Sequence, residues 1–261
     1  MFGQNFLVNT NVQQRIIEAC RLQSTDTVIE IGPGQGAITQ YMVDKVDNLT
    51  IIEKDKELIK YLDARFSSQN VKIINDDILQ YPFEKIPANA IIVGNLPYNI
   101  ATAIIKKFIE YGNSSKNIQH LYFMVQLEHG KKMCAPPGSK DYGSFSCLVQ
   151  YYTTPQILFK ISNGSFNPKP KVQSCFVHIE IPSKPKFAYK NKEALFKIIY
   201  GAFNQRRKTI ENALSQIIEK NRLNPILIEE GINPKSRAEN LSLEDYIRIT
   251  KRLEPTLKNA D

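Results

Sequence analysis

Cysteine is sparse in this chain, and its four copies, Cys20, Cys134, Cys147 and Cys175, stand too far apart to form any CxxC pair. That spacing argues against a zinc ribbon or a redox dithiol and leaves reduced core thiols as the reading. Histidine is scarcer still: His120, His129 and His178 show no ligand spacing, so neither a metal site nor His-based catalysis is expected. No apolar run approaches the roughly 20 residues needed to cross a bilayer, and Met1–Asn5 has no signal-peptide character. A cytoplasmic protein with no membrane partner is therefore expected. Tryptophan is absent, but 42% hydrophobic and 10% aromatic content over 261 residues is ordinary for a globular chain. That length accommodates one large α/β domain and a smaller one.

Charge of one sign prevails, and unevenly. Of a net +8, residues 183–261 carry +6, with 16 Lys/Arg against 10 Asp/Glu. Such a bias suits a polyanion, because phosphate contacts release counterions and supply most sequence-independent affinity. The plain alternative is a solvated basic surface.

Short apolar runs alternate with helical periods over the first two thirds. Thr27–Ile31, Leu49–Glu53, Val71–Ile74, Ala90–Gly94 and Leu121–Val125 read as buried strands, with helices after the first, second, fourth and fifth. That alternation predicts a doubly wound, mainly parallel sheet. Gln156–Ile161 and Cys175–Ile181, joined by the Gly/Pro-rich Asn163–Val172, predict a hairpin-like addition at its edge. Pro182-Ser183-Lys184-Pro185-Lys186 interrupts the strand pattern and marks a boundary between domains 1–182 and 183–261. Beyond it, Lys192–Phe203, Gln205–Lys220, Pro225–Glu230 and Ser242–Leu253 carry helical spacing, with Asn224 and Ser242 as expected N-caps.

The first strand runs into Glu30-Ile31-Gly32-Pro33-Gly34-Gln35-Gly36-Ala37. Glycines at such a turn let the backbone approach a ligand. As GxGxxA the run also fits a weak dinucleotide fingerprint, which brings a dehydrogenase into consideration. Glu30 before the turn and Pro33 within it suit a cofactor without a pyrophosphate. Glu53 ends the second strand, where a carboxylate accepts from both ribose hydroxyls of any nucleoside. Asp77, after the third strand, is placed either to accept from an adenine amine or to cap a turn.

The fourth strand ends in Asn95-Leu96-Pro97-Tyr98. A base amine is a poor nucleophile because its lone pair is delocalised, so an enzyme must hold its hydrogens and bend it toward sp3. An Asn oxygen and nearby backbone carbonyls accept those hydrogens, Pro97 restricts its own φ and keeps Leu96 extended, and Tyr98 offers a stacking face. Taken alone, the four residues are equally an ordinary strand-to-helix turn. Position decides: glycine loop, ribose acid, adenine acid and tetrapeptide all fall at the carboxyl edge of one sheet. No substrate motif for hydride transfer accompanies them.

In its ordered motifs the chain resembles the KsgA/Erm family of rRNA adenine N6-methyltransferases, and its KsgA branch in particular, over nearly the whole length. The resemblance rests on Gly3-Gln4-Asn5-Phe6-Leu7, Glu30-Ile31-Gly32-Pro33-Gly34, Gly94-Asn95-Leu96-Pro97-Tyr98, Pro137–Gly143 and Phe166-Asn167-Pro168-Lys169-Pro170-Lys171-Val172. Asn204–Thr209 and Arg237–Ser242 extend it into the last third. It implies a seven-stranded Rossmann-like class I fold that binds S-adenosyl-L-methionine, with a small helical C-terminal domain for RNA or ribosome binding. It further implies dimethylation of two adjacent adenosines in the 3′-terminal hairpin loop of 16S rRNA, by a monomer acting on an immature 30S subunit late in its biogenesis. By matching position, Asn5, Leu7, Gly32, Gly34, Glu53, Asp77 and Asn95 are the implied cofactor contacts. Asn95, Leu96, Pro97 and Tyr98 hold the target base, and Phe166 is implied to close over its other face, with Lys169 and Lys171 near phosphate.

The chain also departs from the family. Relatives usually carry a basic extension before Gly3, so part of an RNA-binding N-terminus is expected to be missing. Leu127 and Gly130 replace a charged residue and an Ala, and local loosening is expected there because Gly in a helix costs roughly 1 kcal/mol relative to Ala. Two other readings compete: the same chemistry on 23S rRNA or DNA adenine, against which Leu96 in place of a second Pro and the KsgA-like last third argue, and a ribosome-assembly or transcription factor that binds without catalysis.

Overall fold

β-Branched residues set side by side between turns build the strands, and the computed structural model describes them within residues 5–66, 69–115, 117–184, 186–187 and 189–257. Met1–Gln4 and Pro185 of the motifs above lie outside the described residues. In chain order the elements are β1 (Phe6–Leu7), α1 (Thr10–Cys20), β2 (Thr27–Ile31), α2 (Thr39–Met42), β3 (Asn48–Glu53), α3 (Lys56–Phe66), β4 (Val71–Asn75), β5 (Ala90–Asn95), α4 (Ala101–Ser115) and β6 (Ile118–Gln126). There follow α5 (Leu127–Cys134), α6 (Ser144–Tyr152), β7 (Thr154–Ile161), β8 (Phe166–Asn167), β9 (Ser174–Glu180), α7 (Lys192–Asn204), α8 (Ile210–Leu214), α9 (Lys220–Glu229) and α10 (Leu243–Leu257).

Seven strands make one sheet in the order β4-β3-β2-β5-β6-β9-β7. The first five are parallel; β9 runs antiparallel to both β6 and β7, the edge addition expected from the sequence. Chain order reverses beside β2, which has β3 on one side and β5 on the other, so a crevice opens at the carboxyl ends of β2 and β5. The two-residue β1 pairs separately with β8, Leu7 opposite Phe166. Ile16, Ile17, Cys20, Met42, Ile51, Leu62, Tyr122 and Phe176 belong to one buried cluster in this part of the molecule.

The chain divides into two compact units, Met1–Gly130 with Tyr152–Lys184, and Lys131–Tyr151 with Pro185–Asp261. The stretch 131–151, assigned from the sequence to the first domain, thus clusters with the helical unit. Its packing explains why: the Tyr142 ring meets Phe203 edge-on at 5.9 Å, Tyr151 donates to the Tyr189 carbonyl, and the Gly138 N–H donates to the Glu239 carbonyl.

Two helix boundaries in the second unit differ from expectation. Gln205–Lys220 is not one helix, because Thr209 bridges Arg237 and the Ile210 N–H donates to Ser236, which leaves only α8 helical between them. α9 begins at Lys220, so Asn224 is inside it rather than at its cap, donating to Glu211 Oε2. Ser242 does cap α10, its Oγ accepting from the Asp245 N–H while Asp245 Oδ2 accepts from the Ser242 N–H.

Candidate active site

A cavity of about 410 Å3 occupies the crevice. Asn5, Leu7, Gly32, Gly34, Glu53, Asn95, Leu96, Pro97 and Tyr98 all line it, so residues separated by 90 positions meet in one place. Asp77 and Phe166 are not brought there.

The glycine loop forms because Gly32 (φ +61°) and Gly34 (φ +59°) take left-handed conformations that L side chains resist. Glu53, at the end of β3, holds the loop across the crevice: its Oε2 accepts from the Gly34 N–H (3.4 Å) and its Oε1 from the Lys54 and Asp55 N–H groups (2.9 Å each). Burial raises its pKa above the ordinary carboxylate value, against those hydrogen bonds.

Glu30, expected before the turn of a cofactor loop but not among the implied cofactor contacts, also lines the cavity. It is 2% exposed, and burial first, then Glu53 nearby, push its pKa up to about 8 in spite of the 2.5 Å hydrogen bond from Thr39 Oγ1. The signal was present: a carboxylate inside an otherwise apolar strand, Val28-Ile29-Glu30-Ile31, demands an explanation. Phe6, Pro33, Gln35, Ala37, Ile38, Asn99 and Met124 complete the lining; of these, Ile38, Asn99 and Met124 lie in none of the sequence motifs and only the fold reveals them.

The tetrapeptide leaves β5 along a defined path. The Leu96 N–H donates to the Met124 carbonyl (3.1 Å), and the Ile100 N–H donates to the Pro97 carbonyl (3.2 Å), which fixes the backbone on both sides of the turn. Asn95 Nδ2 donates to the Asn5 carbonyl (3.3 Å), which orients the amide and keeps Oδ1 for accepting. Tyr98 is half-buried, its hydroxyl 2.9 Å from Ser174 Oγ.

Asp77 instead works locally. Its Oδ1 accepts from the Leu79 N–H and its Oδ2 pairs with Lys54 at 2.8 Å, which holds its pKa below the usual value. Phe166 is 4% exposed and belongs to the buried cluster beside Leu7, so it does not face a base here. Gly130 also differs from expectation: α5 presses so closely on β9 that a Cβ at Gly130 would overlap Cys175 Sγ, and the helix is tight there rather than loose.

A positively charged nucleoside cofactor fits this cavity. It offers a glycine cradle and, in Glu53, a buried acid with no ion-pair partner among the described residues, beside Glu30, which burial keeps protonated at neutral pH. Among those residues there is no group of three or more His, Cys, Asp or Glu placed to hold a metal, and no helix is long and apolar enough to cross a membrane.

The sheet order and the site at its switch point define a class I S-adenosylmethionine-dependent methyltransferase. A dimethyladenosine transferase from Plasmodium falciparum shares the fold, with a TM-score of 0.81 at 20% identity over 96% of this chain and 98% of that one. The 23S rRNA methyltransferase ErmE shares it at a TM-score of 0.75 and 24% identity, over 96% and 100%. The family model for ribosomal RNA adenine dimethylase matches residues 1–255, and the chain belongs to that family. It is 37% identical to ribosomal RNA small subunit methyltransferase A of Alkaliphilus oremlandii, over 94% of this chain and 88% of the relative. The protein of that name from Coxiella burnetii strain RSA 493 is 36% identical, over 97% and 96%. The chain is accordingly an rRNA adenine dimethyltransferase, and its cofactor is S-adenosyl-L-methionine.

Proposed function

We propose that this enzyme dimethylates N6 of two adjacent adenosines in the 3′-terminal hairpin loop of 16S rRNA, acting as a cytoplasmic monomer on an immature 30S subunit late in assembly. Small-subunit methyltransferases A are the relatives that support the choice of RNA. The observation that carries the chemistry is Asn95: its amide, held through Nδ2 by Asn5, presents an acceptor in the same cavity as Glu53 and the glycine loop.

Bound S-adenosyl-L-methionine supplies a methyl group already activated by its sulfonium, so what remains for the protein is positioning and exclusion of water. Glu53 receives the ribose diol, and Gly32 and Gly34 allow the backbone close to it. Asn95 Oδ1 and the Leu96 carbonyl accept the hydrogens of the adenine amine and turn its lone pair toward the methyl. Tyr98 stacks on the extruded base, a contact on the order of 1–3 kcal/mol, which offsets the few kcal/mol of unstacking. Asn95 orients and does not act as a base; the amine proton leaves after transfer has made the nitrogen acidic. The second methyl follows exchange of the spent cofactor.

The test is radiolabelled methyl transfer to immature 30S, mature 30S and naked RNA, with the product mapped by position. Label on adjacent 16S adenosines of the immature particle is expected. Label on 23S rRNA, or none on any substrate, would overturn the assignment.

A further inference from the structure

Three polar side chains from three helices are strung into a line that ends on the cavity walls. Arg65, near the end of α3, donates from Nη2 to Gln40 Oε1 and from Nη1 to the Gln35 carbonyl, both at 2.6 Å. Gln40, in α2, donates from Nε2 to the Ala37 carbonyl (3.0 Å) and to Gln13 Oε1 (3.3 Å). Gln13, in α1 and only 4% exposed, donates from Nε2 to the Leu7 carbonyl (2.9 Å). Leu7, Gln35 and Ala37 all line the cavity.

The line does what neither segment does alone. β1 has only two residues, paired with an equally short β8, which is too little ladder to fix a wall. The loop from Gly32 to Ala37 belongs to no strand or helix. Arg65 is suited to the outer end, since its planar guanidinium holds two acceptors in a fixed, preorganised fork, whereas a lysine donates from a single nitrogen on a flexible stem. Its neighbour Phe66 packs against Gly36 of the same loop and receives the guanidinium over its face at 5.1 Å. At the inner end a buried amide such as Gln13 has one low-cost arrangement, both of its ends satisfied.

We propose that Arg65, Gln40 and Gln13 form a positioning relay that locks β1 to the glycine loop and so sets cofactor affinity without touching the cofactor. The proposal rests on the cavity being the cofactor site. The relay is assembled before any ligand arrives; Gln40 is its branch point and Arg65 orients it, so losing either loosens the link that runs from Ala37 through Gln13 to Leu7.

Calorimetric titration with S-adenosyl-L-methionine tests this on the full chain with Arg65→Ala, Gln40→Ala, Gln13→Leu and the Arg65→Ala/Gln40→Ala pair. Each single change is expected to raise Kd about tenfold, and the pair to do no more than one alone, because groups in one network are not additive. kcat at saturating cofactor stays within about twofold, which separates positioning from catalysis. Arg65→Lys recovers only part of the affinity, Lys60→Ala on the same helix changes nothing, and amide exchange quickens at Gln35 in Arg65→Ala, at Leu7 in Gln13→Leu and at both in Gln40→Ala. Arg65 is at the surface, so its variants report even if Gln13→Leu fails to fold. Kd within twofold of wild type in the Arg65 and Gln40 variants would overturn the relay. A wild-type Kd indifferent to Glu53→Ala would instead overturn the cavity assignment.

Discussion

Gly130 of α5 and Cys175 of β9 meet with no room for a Cβ between them, and Val177 and Ile157 close the other sides of the contact. A helix glycine normally weakens its helix by roughly 1 kcal/mol relative to alanine. Here the sign reverses, because a methyl group would overlap a sulfur whose residue is itself fully buried. Gly130→Ala is expected to destabilise the protein by about 1–3 kcal/mol through overpacking. Gly130→Ala with Cys175→Ala should recover most of that loss in urea unfolding; equal losses in the single and double variants would refute the steric account.

Glu30 makes stability fall as pH rises. Its folded-state pKa of about 8 is above the ordinary 4.5, so between those values the folded protein holds a proton that the unfolded chain has released. The contribution is therefore complete below about pH 4.5, declines through neutrality and is gone above about pH 8. One proton changes stability by up to about 1.4 kcal/mol per pH unit. Glu53, also raised, adds the same sign, whereas His178, whose pKa burial lowers, adds the opposite one. Comparing wild type with Glu30→Gln by urea unfolding from pH 5 to 8 isolates the Glu30 slope; parallel profiles would show that Glu30 is ionised in the folded state.

How much of this was legible beforehand follows from the range of each interaction. β2 matches the predicted Thr27–Ile31 residue for residue, because an apolar run bounded by turn residues is a local signal. The glycine loop, Glu53 and Asn95 were equally legible, since each closes a strand and the doubly wound topology places strand ends together. Phe166 and Asp77 had suggestive settings, but the nearer partners took them: Leu7 across a two-strand ladder for one, Lys54 and the Leu79 N–H for the other. Asn224 before Pro225 reads as a helix start, yet the chain had already turned helical at Lys220. The Arg65–Gln40–Gln13 line links successive residues 25 and 27 positions apart with no shared motif, and only tertiary structure assembles it.

Asn95→Ala is expected to abolish methyl transfer, with RNA affinity within about twofold of wild type in filter binding. The side chain reaches Asn5 rather than any core partner, so the fold survives its truncation. Asn95→Asp keeps an acceptor but loses the Nδ2 donor that holds Asn5, so it should retain a trace of turnover. Full activity in Asn95→Ala would remove the amide from the mechanism.

Tyr98 and Phe166 separate stacking from packing. Tyr98 lines the cavity and is tied by one hydroxyl to Ser174, so Tyr98→Phe forfeits a hydrogen bond of about 0.5–1.5 kcal/mol but keeps the ring face. Tyr98→Ala forfeits the face as well, and single-turnover rates should fall by about five- to 150-fold, the equivalent of 1–3 kcal/mol of stacking. Phe166 has no such exposure, so Phe166→Ala should register as a core cavity, about 3–5 kcal/mol of unfolding free energy. Any loss of turnover in Phe166→Ala should then be restored by conditions that restore folding, such as low temperature or a stabilising osmolyte. Turnover that remains depressed in fully folded Phe166→Ala would mean that the ring leaves the core and reaches the base when RNA binds.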